Sequence, residues 1–223
     1  QSLEPSFLIM DPASLVYREN FETALLLKKK YGTRLLFAGP HASLFPEQVL
    51  ADGADDVFTG LYDQSILDFF CRRKFNTSQR IWPSVNQIAF QDYPWPEDND
   101  ISRMNYAIPG EPSSEFREIQ IYASRGCAGR CGFCVSKQIY FRAKDHESRR
   151  PHDVLAEMFH LKKKYPGLEG FFFDEEDHFG NSAFIREFAE LLCARGAPFP
   201  VEALGRICGI PEELMPLLKK AGY

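Results

Sequence analysis

Three cysteines fall within eight residues of this 223-residue chain: Cys127, Cys131 and Cys134, in the run Arg125-Gly126-Cys127-Ala128-Gly129-Arg130-Cys131-Gly132-Phe133-Cys134. Thiolates are soft ligands for iron–sulfur clusters, and a 4Fe–4S cubane held by three of them keeps one iron open to another ligand. An open metal position is where substrate or cofactor chemistry takes place. Gly126, Gly129 and Gly132 interleave the thiols and let the backbone wrap a bulky cluster. Arg125 and Arg130 can offset its negative charge. A structural zinc site is the competing reading; it needs a fourth ligand, which His146 or His152 would have to supply. Cys71, Cys193 and Cys208 are widely spaced and read as ordinary buried thiols.

A second concentration of chemistry is Phe173-Asp174-Glu175-Glu176-Asp177, four acids in succession after an apolar run. Such a cluster is stable when solvated or facing a cation, so it suits a positively charged ligand. The plainer reading is an acidic approach to the N-terminus of the following helix. Gly205-Arg206 follows the next strand-like segment and reads equally as an anion contact or a surface arginine. Ala38-Gly39-Pro40-His41-Ala42 and Gly60 close two earlier strand-like segments. Turns of that kind form the ligand crevice in doubly wound sheets.

The elements that must position these residues come in two runs of alternating strands and helices. In the first, strands are expected at 6–10, 34–38 and 56–58. Helices are expected from about Val16 to Lys30, with Phe21, Leu25 and Leu26 inward, and from Asp63 to about residue 73, with Ile66, Leu67 and Phe70 inward. Pro46 can open a short helix between them. From about residue 74 to 117 the pattern dissolves into a proline-punctuated connector, whose aromatics Trp82, Phe90, Tyr93 and Trp95 are expected to dock on a surface. The second run begins with a strand at 118–122, followed by a long loop carrying the cysteines. Then come a helix opened by Pro151, a strand at 170–173, a helix capped by Asn181, a strand at 200–204 and a helix that Pro216 should kink or restart. Alternation of this kind implies parallel sheets. The fold class expected is α/β, a partial Rossmann-like parallel sheet followed by the first half of a (β/α)6 partial barrel, with domains at 1–75, 76–117 and 118–223.

Composition narrows the function classes. The chain is 44% hydrophobic and 26% charged, with a formal net charge of -5, and no basic patch suits nucleic acid. No run is apolar for long enough to cross a bilayer, and no secretory leader precedes the first strand, which points to a cytoplasmic protein.

Cys-x3-Cys-x2-Cys after a strand, with an aromatic residue before the last cysteine, resembles the signature of the radical SAM superfamily. The resemblance implies a 4Fe–4S cluster on Cys127, Cys131 and Cys134 whose unique iron chelates S-adenosylmethionine (SAM). Phe133 matches the aromatic near the adenine, and Asp174, Glu175 and Glu176 occupy the loop that meets the SAM ammonium group. Ahead of that motif, Ala38-Gly39-Pro40-His41, Pro46-Glu47, Ala54-Asp55 and Gly60-Leu61 are similar to the second half of the cobalamin-binding domain in cobalamin-dependent radical SAM proteins. Ala38 and Leu61 depart from that pattern, where a glycine and an acid are usual. The resemblance places Gly39, Pro40, His41 and Gly60 at a cobalamin, with His41 near the nucleotide tail and not on cobalt. It runs from about Phe7 to Gly222, and both ends look truncated against it.

The implied activity is that of a radical SAM enzyme, in first place a cobalamin-dependent methyltransferase acting on an unactivated carbon of a small-molecule or peptide substrate, with an external electron donor. A cobalamin-independent radical SAM enzyme that cyclises or rearranges its substrate and a non-catalytic zinc-binding fragment are the alternatives. No residue is singled out as a catalytic acid, base or nucleophile.

Overall fold

The computed structural model describes residues 4–72, 78, 80–85, 88–96, 104, 116–136 and 146–223. Two compact units divide the chain: Gln1–Ile88 with Cys131–Arg142, and Ala89–Arg130 with Ala143–Tyr223. Much of the expected connector, including Pro109 and Pro112, lies outside the described residues.

The first unit is built on a parallel sheet whose strands follow chain order: β1 (Phe7–Met10), β2 (Arg34–Phe37), β3 (Asp56–Phe58) and β4 (Ile81–Trp82). β4 lies inside the stretch read from the sequence as connector. Between the strands run α1 (Tyr17–Tyr31), α2 (Gly39–Leu44), α3 (Pro46–Asp52) and α4 (Asp63–Cys71). Strand side chains alternate in direction, so Leu35, Phe37 and Val57 pack with Tyr17, Phe21, Ala24 and Val49 on one face. Leu36 and Phe58 pack with Phe69 and Trp82 on the other.

Two helix faces differ from the sequence expectation. In α1 the buried residues are Tyr17, Phe21 and Ala24, whereas Leu26 is 69% exposed and Leu25 faces outward. The stripe at i, i+4 and i+7 meets the aromatic surface of β2, where Phe21 stacks on Phe37 at 4.9 Å. In α4 Ile66 and Phe70 pack against the core as expected, but the fully buried residue is Phe69, edge-on to Phe58 and Trp82, and Leu67 is exposed. A buried Asp56 carboxylate ties this face together, accepting from Arg34 Nε at 2.7 Å and Trp82 Nε1 at 3.1 Å.

The second unit holds a parallel three-stranded sheet in the order β5 (Glu118–Ile121), β8 (Gly170–Phe173), β9 (Val201–Ala203). It is covered by α5 (Pro151–Lys164), α6 (Ser182–Ala194) and α7 (Met215–Ala221). Val154, Leu155, Met158 and Leu161 of α5, with Phe184, Ile185 and Phe188 of α6, bury against Ile119, Ile121, Phe171 and Phe173. Asn181 caps α6 as expected, its Oδ1 accepting from Phe184 N at 3.1 Å. Pro216 acts as a restart: a 3-10 turn at Glu212–Leu214 ends and α7 begins with the proline in its first turn, where no N–H is needed.

A two-stranded antiparallel ribbon, β6 (Ser124–Gly126) with β7 (His146–Ser148), was not expected. It pairs the residues just before the cysteines with a segment some twenty residues later. The connector aromatics dock as anticipated: Trp95 Nε1 donates to Asp153 Oδ1 at 3.2 Å, and Phe90 and Tyr93 both face the Arg125 guanidinium at 5.1 Å. No helix among the described residues is long and apolar enough to cross a membrane.

Candidate cluster and cofactor site

Parallel strands deliver their C-terminal ends to one edge of a sheet, and the loops leaving that edge carry the site in α/β folds. In the second unit three such loops matter. The one after β5 leads through β6 to Cys127, the one after β8 is Asp174–Asp177, and the one after β9 holds Gly205 and Arg206.

The four acids of the β8 loop have four different situations. The Glu175 side chain is fully buried. It accepts from Ala123 N at 2.6 Å, Ser124 N at 3.2 Å and Ser124 Oγ at 2.9 Å. Its other neighbour is His178, whose Nδ1 lies 2.6 Å from Glu175 Oε1 and whose Nε2 lies 2.7 Å from the Tyr223 hydroxyl. A carboxylate beside Nδ1 makes that nitrogen the donor, leaving Nε2 to accept from the tyrosine. Burial and the negative charge of Glu175 push the Tyr223 phenol well above its ordinary value. Glu176 is exposed and caps the backbone of the cysteine loop, accepting from Gly126 N at 3.0 Å. Asp177 is buried and ion-paired with Arg206 at 2.8 Å. Asp174 is half-buried; with Glu176 and Glu175 it adds to burial in raising the Tyr122 phenol.

Cys127 is half-buried, accepts from Gly129 N at 3.2 Å, and stands 3.8 Å from Asp177 Oδ2. Burial pushes its thiol up, and Asp177 acts in the same direction, against the Gly129 N–H and Arg206. In the turn that follows, Cys134 N donates to Cys131 O at 3.1 Å; Cys131 is exposed, Cys134 half-buried, and Phe133 is 93% exposed. All six cysteines are free. Among the described residues no group of three or more His, Cys, Asp or Glu side chains stands close enough to hold a metal ion. In chemistry the donor set suits an iron–sulfur cluster, three free thiols within eight residues of sequence, and Glu176 secures the backbone at Gly126, just before the first of them.

The histidines weighed for zinc are engaged elsewhere. His146 Nε2 donates to the Asp177 carbonyl at 3.0 Å, and His152 lies on the exposed side of α5, 3.7 Å from Glu187. Arg125, expected near the cluster, instead pairs with Glu147 at 2.9 Å beneath Tyr93. Two of the three scattered cysteines, Cys71 and Cys208, are exposed and not buried as anticipated. Cys208 lies in the loop after β9, 4.0 Å from Arg206 Nη1. The sequence marks Asp177 as one of four acids and Arg206 as an anion contact or a surface arginine, but does not pair them. Only the convergence of the β8 and β9 loops distinguishes them from surface charges.

In the first unit, Gly39, Pro40, His41 and Gly60 also lie at the C-terminal edge of a sheet. Gly39 has φ +85°, and a β-carbon there would collide with Asp11 Oδ1. Ser43 bridges the two loops, donating to Gly39 O at 2.7 Å and accepting from Gly60 N at 2.9 Å. Asp11 accepts from the Tyr62 hydroxyl at 2.8 Å across the same edge. Pro40 opens α2 at a position that needs no N–H. His41 is buried: its ring stacks on Tyr17 at 3.8 Å, Nδ1 lies 3.0 Å from Ser14 Oγ, and Nε2 has no hydrogen-bond partner among the described residues. Burial lowers its pKa, with Asp52 opposing. These residues fit a ligand edge built from backbone and small side chains, with His41 packed beneath it.

No protein-family model matches the chain. Its structure is similar to that of the radical S-adenosylmethionine methyltransferase TsrM from Kitasatospora setae. The form with tryptophan substrate and a SAM analogue matches all of the chain and 47% of the neighbour, with a TM-score of 0.74 and 15% identity. The form with cobalamin and a [4Fe-4S] cluster matches 97% of the chain and 46% of the neighbour, with a TM-score of 0.67 and 15% identity. In sequence, 103 residues, or 46% of the chain, are 26% identical to the cytidylyl-2-hydroxyethylphosphonate methyltransferase of Streptomyces wedmorensis, over 19% of that protein. The chain thus spans less than half the length of these proteins. Its α/β fold of parallel sheets and helices is similar to the part of TsrM that it matches, and it is of the α/β class expected from the sequence.

Proposed function

We propose that this chain is part of a radical SAM enzyme in which Cys127, Cys131 and Cys134 ligate a 4Fe–4S cluster, and that the enzyme is a cobalamin-dependent methyltransferase acting on an unactivated carbon. Residues 118–223 are read as the N-terminal part of the radical SAM barrel, 76–117 as a connector, and 1–75 as the C-terminal part of a cobalamin-binding-like domain. One-electron cleavage of SAM is the chemistry the cluster supplies there, and methyl carriage is what cobalamin supplies. The substrate class is a small molecule or peptide, the electron comes from an external donor, and the setting is cytoplasmic.

The observation that carries this reading is the anchoring of the cysteine loop. Glu175 holds Ala123 and Ser124, and Glu176 holds Gly126, so the β8 loop fixes the backbone leading to Cys127. With Glu175 consumed in that task, Asp174 is the carboxylate available to the SAM ammonium group, and Glu176 flanks it. Phe133, whose ring is free of the core, supplies an apolar face for the adenine. The loops at Gly39 and Gly60 present backbone to a cobalamin, Pro40 opens α2 behind the first of them, and His41 packs α2 onto Tyr17 of α1. That the fold neighbour TsrM and the curated sequence relative are both methyltransferases favours methyl transfer over cyclisation or rearrangement.

Anaerobic reconstitution with iron and sulfide tests the ligand assignment. The wild-type protein should take up about four irons per chain, and substitution of any one of Cys127, Cys131 and Cys134 by Ala should abolish that uptake. Zinc at one per chain, or iron uptake indifferent to these substitutions, removes the assignment.

A further inference from the structure

Asp177 and Arg206 lie outside the cysteine motif, yet both stand against Cys127. The Asp177 side chain is fully buried, with Oδ2 3.8 Å from Cys127 Sγ. Arg206 donates Nε to the same oxygen at 2.8 Å and its backbone N–H to Oδ1 at 3.3 Å. The arginine also flanks the cysteine loop directly. A β-carbon on Gly129 would stand 3.1 Å from Cys127 Sγ and 3.2 Å from Arg206 Cδ, so thiol and arginine stem share one side of that residue. The Asp177 carbonyl is held from behind by His146 Nε2 and by Gly180 N, both at 3.0 Å. The carboxylate is therefore fixed in place, and the arginine is oriented upon it.

A buried carboxylate beside a ligating thiolate is unfavourable unless a cation offsets it. A reduced cluster carries one more negative charge than an oxidised one, so charges at this distance favour the two states unequally. Groups outside the ligand set tune a cluster's potential through the charge they place near its sulfurs. Arg206 stabilises the reduced state and Asp177 opposes it; paired, they nearly cancel.

We propose that Asp177 and Arg206 exert opposing, nearly balanced effects on the reduction potential of the cluster ligated at Cys127, with Arg206 acting through that thiolate as a positioning residue. This rests on the cluster reading above.

The test is a redox titration, followed by EPR, of the anaerobically reconstituted protein and four variants. Arg206→Gln should lower the potential and Asp177→Asn should raise it. The double variant should return close to wild type, and Arg206→Lys should fall between wild type and Arg206→Gln. A structural role alone would reduce cluster content without shifts of opposite sign. Potentials that do not move, or that move together in the two single variants, overturn the proposal. If Arg206→Gln holds no cluster, Asp177→Asn decides, an upward shift supporting the proposal and any other result overturning it. Failure of the wild-type protein to take up iron and sulfide would remove the cluster reading and the proposal with it; unmoved potentials in a cluster-bearing protein remove only the proposal.

Discussion

Glu175 Oε2 accepts the Ala123 N–H at 2.6 Å, and through that bond the end of β8 holds the strand end from which the cysteine loop departs. Ser124 and His178 complete the shell around this buried carboxylate, and Tyr223 closes it from the far side of the imidazole. Glu175→Ala takes the shared acceptor from two backbone N–H groups and from His178 Nδ1 in the interior. Breaking a buried charged network costs about 3–5 kcal/mol. Urea denaturation should show a loss of that order, with Tyr223→Phe costing only about 1 kcal/mol. A Glu175→Ala protein as stable as wild type would contradict the clamp.

The neighbouring acid should behave in the opposite way. Asp174→Asn removes a half-buried carboxylate that no described bond requires, so folding should be unaffected. Loss of one charge-assisted contact to the SAM ammonium group is worth about 1.5 kcal/mol, or about tenfold in affinity. Calorimetric titration of SAM into the reconstituted protein should register that weakening for Asp174→Asn. Unchanged affinity would remove Asp174 from the site.

Gly39 is constrained twice, by a φ of +85° and by Asp11 occupying the space a side chain would need. A left-handed conformation costs a non-glycine residue about 1–2 kcal/mol. Gly39→Ala should therefore destabilise the first unit by at least about 2 kcal/mol once the clash with Asp11 is added. Asp11→Ala in the same chain should recover part of the loss, read from thermal unfolding, because it removes the clash and leaves the strain.

His41 gives the first unit a pH dependence of definite sign. Burial holds its folded pKa below the ordinary 6.5, while Asp52 pulls more weakly upward. Below 6.5 the unfolded chain binds a proton that the fold resists. The histidine's contribution is therefore complete above that value and is lost as the pH falls toward the folded pKa. The urea midpoint followed by Trp82 fluorescence should drop between pH 7.5 and 5.5, before carboxylates titrate, and His41→Gln should flatten that slope.

What could be read from residue order alone follows from what is local. The strand–helix alternation, the Asn181 cap, the Pro216 restart and the cysteine loop beyond β5 depend on short-range patterns, and each is found. The β6–β7 ribbon was invisible because Ser124-Arg125-Gly126 and His146-Glu147-Ser148 have no apolar alternation and meet across a long loop. Leu25 and Leu26 read as inward-facing because they stand four and five residues after Phe21 in an apolar run. The face that packs is set instead by the rings of Tyr17 and Phe21 meeting Phe37, a tertiary preference. The four acids after β8 look alike in sequence, and only the N–H groups, histidine and arginine brought to them by other loops separate clamp, cap, ion pair and open carboxylate.

The most direct test of the central claim is the EPR spectrum of the reduced, reconstituted protein with and without SAM. A cluster held by Cys127, Cys131 and Cys134 has an open iron, so its g-values should shift when SAM is added. A spectrum that SAM leaves unchanged, or a protein that binds zinc in place of iron and sulfide, would contradict it.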